Sequence, residues 1–188
     1  MIYLTSDLHF NHDREFIYKP RGFESVYKMN RALIDNYNSV VSNDDDVYIL
    51  GDLMLGGPDR MKDGLGLLSQ LKGDIHIVRG NHDTDNRWEA YQSLYNVVEV
   101  SNAIYLKYKG FHFYMSHFPT FTANLEKESL KQCTINLYGH THQQDSKFYN
   151  DIPFMYCCCV DCHNNYPVSI DDAIADMYEQ VQKCKEQL

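Results

Sequence analysis

Short apolar runs that end in polar residues recur along the first half of the chain, with amphipathic stretches between them. IYLTSD, DDVYILGD and DIHIVRGNHD predict buried strands whose polar ends include Asp7, Asp52 and Asn81. The stretch after the first strand predicts a helix capped by Ser25, with an apolar stripe of Val26, Met29, Leu33, Tyr37 and Val40. A second helix begins near Pro58, with one face made of Met61, Leu65, Leu68 and Leu71. RWEAYQSLY is a shorter helix candidate.

The second half of the chain has a pattern typical of strands joined by turns. AIYLKYKGFHFYMSH predicts two strands around a Lys109-Gly110 turn, the second ending at His117, and TINLYGHTH predicts another strand. KFYNDIPFMYCCCV predicts a further hairpin across Asn150-Asp151, and Ser169 caps a final helix in DDAIADMYEQVQKC. Early alternation of strands with helices, followed by hairpins, favours a layered α/β fold with mixed sheets.

Length and composition fit one packed domain. Hydrophobic residues make up 44% and aromatic residues 13% of the 188 positions, which is enough for a substantial core. The formal net charge of −9 disfavours binding along a long nucleic acid. No apolar stretch is long enough to span a bilayer, and the N-terminal segment lacks the features of a signal peptide. We therefore expect a cytoplasmic protein with reduced cysteines and no membrane partner.

The predicted strands end in residue types that bind metal ions. Five apolar runs finish in Asp, Asn or His, whose oxygen and imidazole nitrogen atoms suit divalent ions. Loops after the carboxyl ends of strands form the sites of α/β sheets, so residues distant in sequence can converge there. The candidates are Asp7, His9, Asp52, Asn81, His82, His117, His140 and His142. Each motif alone also fits a turn or a hydrogen-bonded histidine, but the repetition at five strand ends favours a metal centre.

The order D-x-H, G-D, G-N-H-D, H and G-H-x-H across residues 7–142 resembles the calcineurin-like metallophosphoesterase superfamily. TSDLHFNHD, VYILGD and VDCHNNYPVSIDDAI are similar, more narrowly, to a group of small bacterial and phage phosphoesterases. The resemblance implies an α/β fold in the form of a four-layer α-β-β-α sandwich, with two mixed sheets flanked by helices. It also implies a single catalytic domain over residues 1–188 that hydrolyses phosphate esters with two divalent metal ions.

Carried over residue by residue, the resemblance implies a division of roles. One ion would be held by Asp7, His9, Asp52 and His142, and the other by Asp52, Asn81, His117 and His140. Asp52 would bridge the ions through its two carboxylate oxygens, a hydroxide between them would attack phosphorus, and His82 would be the proton donor. Ligands of this mixed type suit manganese first, with iron and zinc as the other candidates.

Residues near the motifs have less definite roles. Leu55 and Asp83 stand where the phosphoprotein phosphatases of the superfamily have Asp and Glu, so the chain resembles a different branch. Arg79 could contact a phosphate or be an exposed arginine at a strand end. Four residues after the first motif could reach a substrate: Asn11, His12, Arg14 and Arg21.

The segment CCCVDCH allows several interpretations. Cys159-x-x-Cys162-His163 matches a c-type haem attachment pattern, and CxxC also occurs in redox pairs and zinc sites. Because the chain has no export signal and no second CxxC, we expect Cys157, Cys158 and Cys159 to pack as small hydrophobic residues in a strand. A structural zinc or a disulfide is the minor alternative.

The sequence thus predicts a metal-dependent phosphoesterase that acts on a small organic phosphate, a nucleotide or a cyclic nucleotide. Monoester and diester hydrolysis share this kind of centre, so both stay open. The alternatives are a catalytically silent scaffold with the same fold and a protein that binds a single metal ion. The complete set of motifs argues against the first, and the shared Asp52 argues against the second.

Overall fold

The computed structural model describes residues 1–122 and 129–186, which form nine strands and five α-helices. The strands are β1 (Ile2–Thr5), β2 (Asp46–Ile49), β3 (Asp74–Val78), β4 (Val97–Ser101), β5 (Ile104–Tyr108), β6 (Phe111–Met115), β7 (Thr134–Tyr138), β8 (Met155–Cys157) and β9 (Val168–Ser169). The helices are α1 (Glu15–Tyr18), α2 (Val26–Val40), α3 (Pro58–Leu68), α4 (Asp85–Tyr91) and α5 (Ile170–Glu186).

Two mixed sheets, flanked by helices, organise the fold as the sequence predicted. The first has the strand order β4-β3-β2-β1-β9, in which β1 to β4 are parallel and β9 is antiparallel to β1. The second has the order β5-β6-β7-β8, in which only the β5-β6 pair is antiparallel. That pair is the predicted hairpin around Lys109 and Gly110, whose positive φ values of 49° and 83° suit a tight turn.

Side chains alternate between the two faces of the first sheet, so a separate hydrophobic core forms on each face. Val47 and Ile49 of β2 pack in one cluster with apolar residues of α2, α3 and α4. Tyr48 and Leu50, which point the other way, pack against the second sheet in a core that includes Phe113. Helix α5 also enters this core between the sheets, through Ile170, Ala173, Ile174 and Met177.

Both predicted helix caps are confirmed. The Ser25 side chain accepts a hydrogen bond from the backbone N–H of Lys28 at 3.3 Å, and that of Ser169 accepts one from Asp172 at 3.0 Å. Of the predicted stripe on α2, Met29, Leu33 and Tyr37 are buried, whereas Val40, the last residue of the helix, is 38% exposed.

The predicted hairpin across Asn150-Asp151 is only partly present. Both residues have the positive φ values of a turn, 47° and 61°. However, the strands beside the turn meet in a single antiparallel bridge between Phe148 and Tyr156. Strand β8 instead extends the second sheet by pairing parallel with β7. The sequence pattern also did not predict α1, β4 or β9.

None of the six cysteines forms a disulfide bond. Cys157, Cys158 and Cys159 are buried, as expected for small hydrophobic residues, and Cys162 is partly buried. Within residues 1–122 and 129–186, the clusters that could hold a metal contain no cysteine. No helix in the described ranges is long and apolar enough to cross a membrane.

Candidate metal centre

The loops that follow β1, β2, β3, β6 and β7 meet at the carboxyl ends of these strands. Backbone hydrogen bonds join the first two loops, since the N–H groups of Asp7 and His9 donate to the carbonyls of Gly51 and Asp52, each at 3.0 Å. Five candidate ligands occupy the left-handed φ region, which non-glycine residues adopt mainly at functional sites and turns. They are Asp7 (58°), His9 (49°), Asp52 (54°), His140 (72°) and His142 (48°).

The fully buried carboxylate of Asp7 has one saturated oxygen and one bare oxygen. Oδ2 accepts hydrogen bonds from Ser6 Oγ at 2.6 Å, from the N–H of His140 at 2.8 Å and from Cys159 Sγ at 3.0 Å. No donor in the described part of the chain reaches Oδ1. Burial opposes ionisation, but the rings of His9, His142 and nearby His117 outweigh it and hold the pKa of Asp7 well below its ordinary value. A buried, ionised and unpaired oxygen calls for a cation.

His9 and His142 direct ring nitrogens toward the same point. Their Nε2 atoms are 3.1 Å apart and lie 3.8 Å and 3.5 Å from Asp7 Oδ1. The opposite nitrogens are occupied, because Nδ1 of His9 contacts Nδ1 of His12 at 3.0 Å and Nδ1 of His142 contacts Asp161 Oδ2 at 3.0 Å. Burial lowers the pKa of His9, which favours the neutral ring that metal binding requires. The Nε2 lone pairs of His9 and His142 therefore face each other beside the carboxylate of Asp7, and this arrangement fits a metal ion.

Asp52 lies at the middle of the site. Its Oδ2 is 3.6 Å from Nε2 of His9 and 3.6 Å from Nε2 of His117. Its Oδ1 accepts a hydrogen bond from the backbone N–H of His82 at 2.8 Å. The arrangement therefore differs in one detail from the expectation that both oxygens serve metal ions, because Oδ2 alone faces the histidines of both sides.

His117 and Asn81 form the other side of the centre. His117 Nδ1 lies 2.8 Å from the carbonyl oxygen of Leu50, which can only accept, so this nitrogen carries the proton. In the neutral ring, Nε2 then has a lone pair that faces Asn81 Oδ1, another acceptor, at 2.9 Å. The ring of His140 stands edge-on to that of His117, with 5.1 Å between the ring centroids. Although His140 as a residue is exposed, the partial burial of its ring lowers its pKa.

Two groups bring their ligand atoms within 4.8 Å of one another in the described ranges: Asp7, His9 and His142, and Asp7, Asp52 and His117. The sequence-predicted residues therefore converge, and the donor set fits a divalent metal. Asn81 joins the second group through its contact with His117, whereas His140 lies beside it without a ring-nitrogen contact to the carboxylates.

The calcineurin-like phosphoesterase superfamily domain matches residues 1–160. The chain belongs to this family. An uncharacterized protein of Methanocaldococcus jannaschii is 34% identical over 175 residues, which cover 90% of this chain and 87% of that protein. The gene 66 protein of Mycobacterium phage L5 is 26% identical over 159 residues, covering 74% of this chain and 76% of the phage protein.

A solved structure of a protein of unknown function from Aquifex aeolicus has the same fold, with a TM-score of 0.70 and 22% identity over 93% of this chain and 98% of that one. The chain is thus similar to archaeal, bacterial and phage proteins over 76% to 98% of their lengths. These comparisons agree with the resemblance to small members of the calcineurin-like family.

Sequence reasoning missed the acidic residue that orients one of the candidate ligands. Asp161 accepts from His142 Nδ1 and forms a two-point ion pair with Arg21, with Nε–Oδ1 and Nη2–Oδ2 distances of 2.9 Å and 2.8 Å. Burial opposes ionisation of Asp161, but His142 and Arg21 together lower its pKa. Arg21 also donates to the carbonyl oxygens of Asp7 and Leu8 at 2.8 Å and 3.2 Å. Arg21 is therefore a buried support of the centre, not a substrate contact.

A second missed residue, Asp83, joins the loops after β2 and β3. Its Oδ2 accepts from the N–H groups of Asp52 at 2.8 Å and Gly80 at 2.9 Å, while its Oδ1 accepts from the Tyr91 hydroxyl at 2.8 Å. Burial raises the pKa of Asp83, although these donors oppose that effect. The carboxylate thus fixes Asp52 against the loop that carries Asn81.

A cleft of about 520 Å³ opens over the centre of this phosphoesterase fold. His82 lines it with a side chain that is 43% exposed and with Nε2 3.9 Å from Asp52 Oδ2. Phe16, Ile17 and Pro20 form an apolar wall of the same cleft. Arg79 pairs with Asp85 and donates to the carbonyl of Asp83, which agrees with the interpretation that it is an arginine at a strand end.

Proposed function

We propose that this chain is a binuclear-metal phosphoesterase that hydrolyses small phosphate monoesters or diesters. The observation that carries the proposal is the set of atoms around Asp52 Oδ2. The bare, buried Oδ1 of Asp7 and the Nε2 atoms of His9, His142 and His117 all face this region while their other polar atoms are already bound. Such a set is stable when it surrounds cations, and membership of the calcineurin-like family supports the choice of metal.

The ligands divide into two overlapping groups in this proposal. One ion would be held by Asp7, His9, Asp52 and His142, and the other by Asp52, Asn81, His117 and His140. Manganese is the first choice, with iron and zinc as the alternatives, because all three accept carboxylate, amide and imidazole ligands. When bound, the two ions would neutralise the phosphate charge and make hydroxide available near neutral pH by lowering the pKa of water.

His82 supplies the proton that the leaving alkoxide needs. Its backbone N–H is held by Asp52 Oδ1 at 2.8 Å, so its position relative to the ligands is fixed. Its partly exposed ring lines the cleft and can reach a substrate oxygen. Proton transfer by a positioned side chain contributes roughly 10²- to 10⁴-fold to a rate.

The form of the cleft favours a small ester. Its volume of about 520 Å³ is within the usual range for small-molecule sites, and its apolar wall suits an organic group beside the phosphate. The net charge of −9 disfavours long nucleic acid. A nucleotide, a cyclic nucleotide or another small organic phosphate fits both features.

The test is hydrolysis of p-nitrophenyl phosphate and its bis-ester by the purified protein with manganese, iron or zinc. We expect turnover that EDTA abolishes and added metal restores. His82→Ala should retain its metal but lose about 10²- to 10⁴-fold in kcat, whereas Asp52→Asn should fail to load metal. His112→Ala is a matched control, because His112 lies on β6, contacts Tyr105 of β5 and does not line the cleft.

Two outcomes would contradict the proposal in different ways. Equal metal loss in the His82 and Asp52 variants would refute the division of roles. Absence of turnover on both esters with all three metals would instead favour a catalytically silent scaffold.

A further inference from the structure

A smaller cleft of about 270 Å³ lies beside the one over the metal centre. We call it the arginine cleft; its lining is Asn11 to Arg14, Leu55 to Gly57, and Arg60. His12 lines both clefts, and its ring centroid is 5.0 Å from that of His9 and 6.1 Å from that of His82. The two clefts are therefore neighbours that share His12 in their walls.

Two arginines give the arginine cleft its chemistry. The chain has six arginines, and four of them have acceptors: Arg21 with Asp161, Arg31 with Asp35, Arg79 with Asp85, and Arg87 with the carbonyls of His82 and Gly56. Arg14 and Arg60 have no acceptor among the side chains that the structure describes, which leave out those of residues 58 and 59, although the chain has an excess of acidic residues. Among the described lining residues Asp13 is the single carboxylate, so the two arginines outnumber it.

A further donor in this cleft also lacks an acceptor. Asn11 is fixed in place, because its N–H donates to Asn30 Oδ1 at 3.2 Å and its Oδ1 accepts from Asn30 Nδ2 at 2.8 Å. Its Nδ2 is buried and has no acceptor among the described residues. Asn11 is thus a rigid polar part of the wall of this cleft, beside the two arginines.

The proposed role of His9 as a ligand sets the tautomer of His12. If His9 binds metal through Nε2, its proton lies on Nδ1 and donates to His12 Nδ1 at 3.0 Å. The neutral His12 ring then has its N–H at Nε2. His12, which lines both clefts, is thus a hydrogen-bond donor, like its neighbours Arg14 and Arg60.

We propose that the arginine cleft binds a second phosphate group of the substrate while the metal centre acts on the first. The substrate is then a small organic ester with two phosphate groups, and its organic part lies along Phe16, Ile17 and Pro20. This inference rests on the proposed function, because the reacting phosphate is placed at the metal centre. Two arginines favour phosphate because guanidinium groups pair with its oxygens in a bidentate manner.

The test compares two inhibitors of p-nitrophenyl phosphate hydrolysis in the manganese-loaded protein: adenosine 3′,5′-bisphosphate and adenosine 5′-monophosphate. We expect the bisphosphate to inhibit about tenfold or more tightly, since a charged hydrogen bond accounts for roughly that factor. Arg14→Gln and Arg60→Gln should each reduce the ratio of the two inhibition constants several-fold. Arg31→Gln should leave the ratio unchanged, because Arg31 pairs with Asp35 on the exposed side of α2.

Each result decides the matter. Equal inhibition constants in the parent protein, or an unchanged ratio in both cleft variants, would overturn the inference. So would a single-stranded DNA 12-mer that binds more tightly than the bisphosphate, because a chain of phosphates would then be the preferred ligand. If neither the monoester nor the bis-ester is hydrolysed with any of the three metals, the proposed function has failed, and calorimetric dissociation constants for the same nucleotides and variants test the cleft by itself.

Discussion

At the scale of single residues, the centre depends on backbone and side-chain groups that bind the atom of each candidate ligand that points away from the metal position. Asp161 holds Nδ1 of His142, the carbonyl of Leu50 holds Nδ1 of His117, and three donors hold Oδ2 of Asp7. These contacts leave one atom of each ligand free and aimed at the metal. Supporting partners of this kind fix ring orientation and the tautomer of ligand histidines.

Ligand residues could be predicted from the sequence because each follows an apolar run within a short motif. The supporting role of Arg21 could not be predicted, because its partner Asp161 is 140 positions away and their contact exists only in the folded chain. One signal did point to Asp161. It follows the apolar run MYCCCV directly, so it satisfies the same strand-end rule as the other candidates.

We expect Asp161→Asn to weaken metal binding about 10- to 100-fold, the usual effect of losing such a partner. The amide can accept from His142 or Arg21, but its NH2 group must then face the other donor. Equilibrium dialysis with metal analysis measures the affinity, and circular dichroism confirms that the variant is folded. Asp171→Asn, which removes an exposed partner of Lys109, is the control and should bind metal normally. Unchanged affinity in the Asp161 variant would show that it does not orient the ligand.

Tyr91→Phe tests the role of the Asp83 carboxylate, which joins the loops after β2 and β3. The change removes the hydroxyl that donates to Asp83 Oδ1 at 2.8 Å and leaves the ring in place. We expect a loss of about 1–3 kcal/mol in the free energy of unfolding, because the buried carboxylate loses a donor. Urea titration measures it. Tyr95→Phe, whose hydroxyl contacts Ser69 at the surface, should cost much less, and equal losses would argue against a special role for the buried bond.

At the scale of elements, parallel strands bring the motifs together and glycines let their loops approach closely. Gly139, directly after β7, lies against the loop after β1. A Cβ atom there would be 2.0 Å from Ser6 Oγ and 2.6 Å from Asp7 Oδ2. These two atoms cannot move without breaking the hydrogen bond that saturates Oδ2.

We therefore expect opposite effects from two glycine-to-alanine changes. Gly139→Ala should reduce both metal affinity and stability, since backbone or Asp7 must shift. Gly66→Ala, within α3 and with open space around the added methyl, should stabilise the protein by about 0.5–1 kcal/mol. Urea titration and metal dialysis measure both changes. Normal metal binding by the Gly139 variant would mean that the loops can separate without affecting Asp7.

The elements that could not be predicted from the sequence are those without a clear periodic pattern of hydrophobic residues. Strand β9 has two residues, too few to show alternation. Strand β4 carries exposed Val98 and Glu99 near the edge of its sheet, so its pattern is not that of a buried strand. The hairpin predicted across Asn150-Asp151 is only partly present for a different reason. Its turn residues were read correctly, but pairing with β7 gives β8 a better-buried position than a local partner would.

At the scale of the whole molecule, the centre is assembled from loops of both sheets, so it exists only when the two sheets are packed together. Metal binding and folding are consequently coupled, since the unfolded chain has no preformed site. The effect of pH on folding is best measured in the metal-free protein, where this coupling is absent.

His163 makes part of the stability of the metal-free protein dependent on pH. Its Nε2 donates to the carbonyl of Cys157 at 2.8 Å, and burial lowers its pKa below the ordinary value of 6.5. At a pH between the lowered pKa of His163 in the native protein and its ordinary pKa in the unfolded chain, the unfolded chain binds a proton that the native protein does not. The free energy of unfolding therefore rises with pH in this window, and the stability is lost as pH falls below about 6.5, by at most about 1.4 kcal/mol per pH unit.

His163→Gln keeps an amide donor for Cys157 but cannot take up a proton. We expect the variant to lose less stability than the parent protein between about pH 7.5 and pH 5.5, so that the two curves converge in acid. Urea titrations in EDTA measure both curves, and the other histidines contribute equally to each. Parallel curves would contradict the prediction, because they would mean that His163 takes up its proton at the same pH in the native and unfolded states.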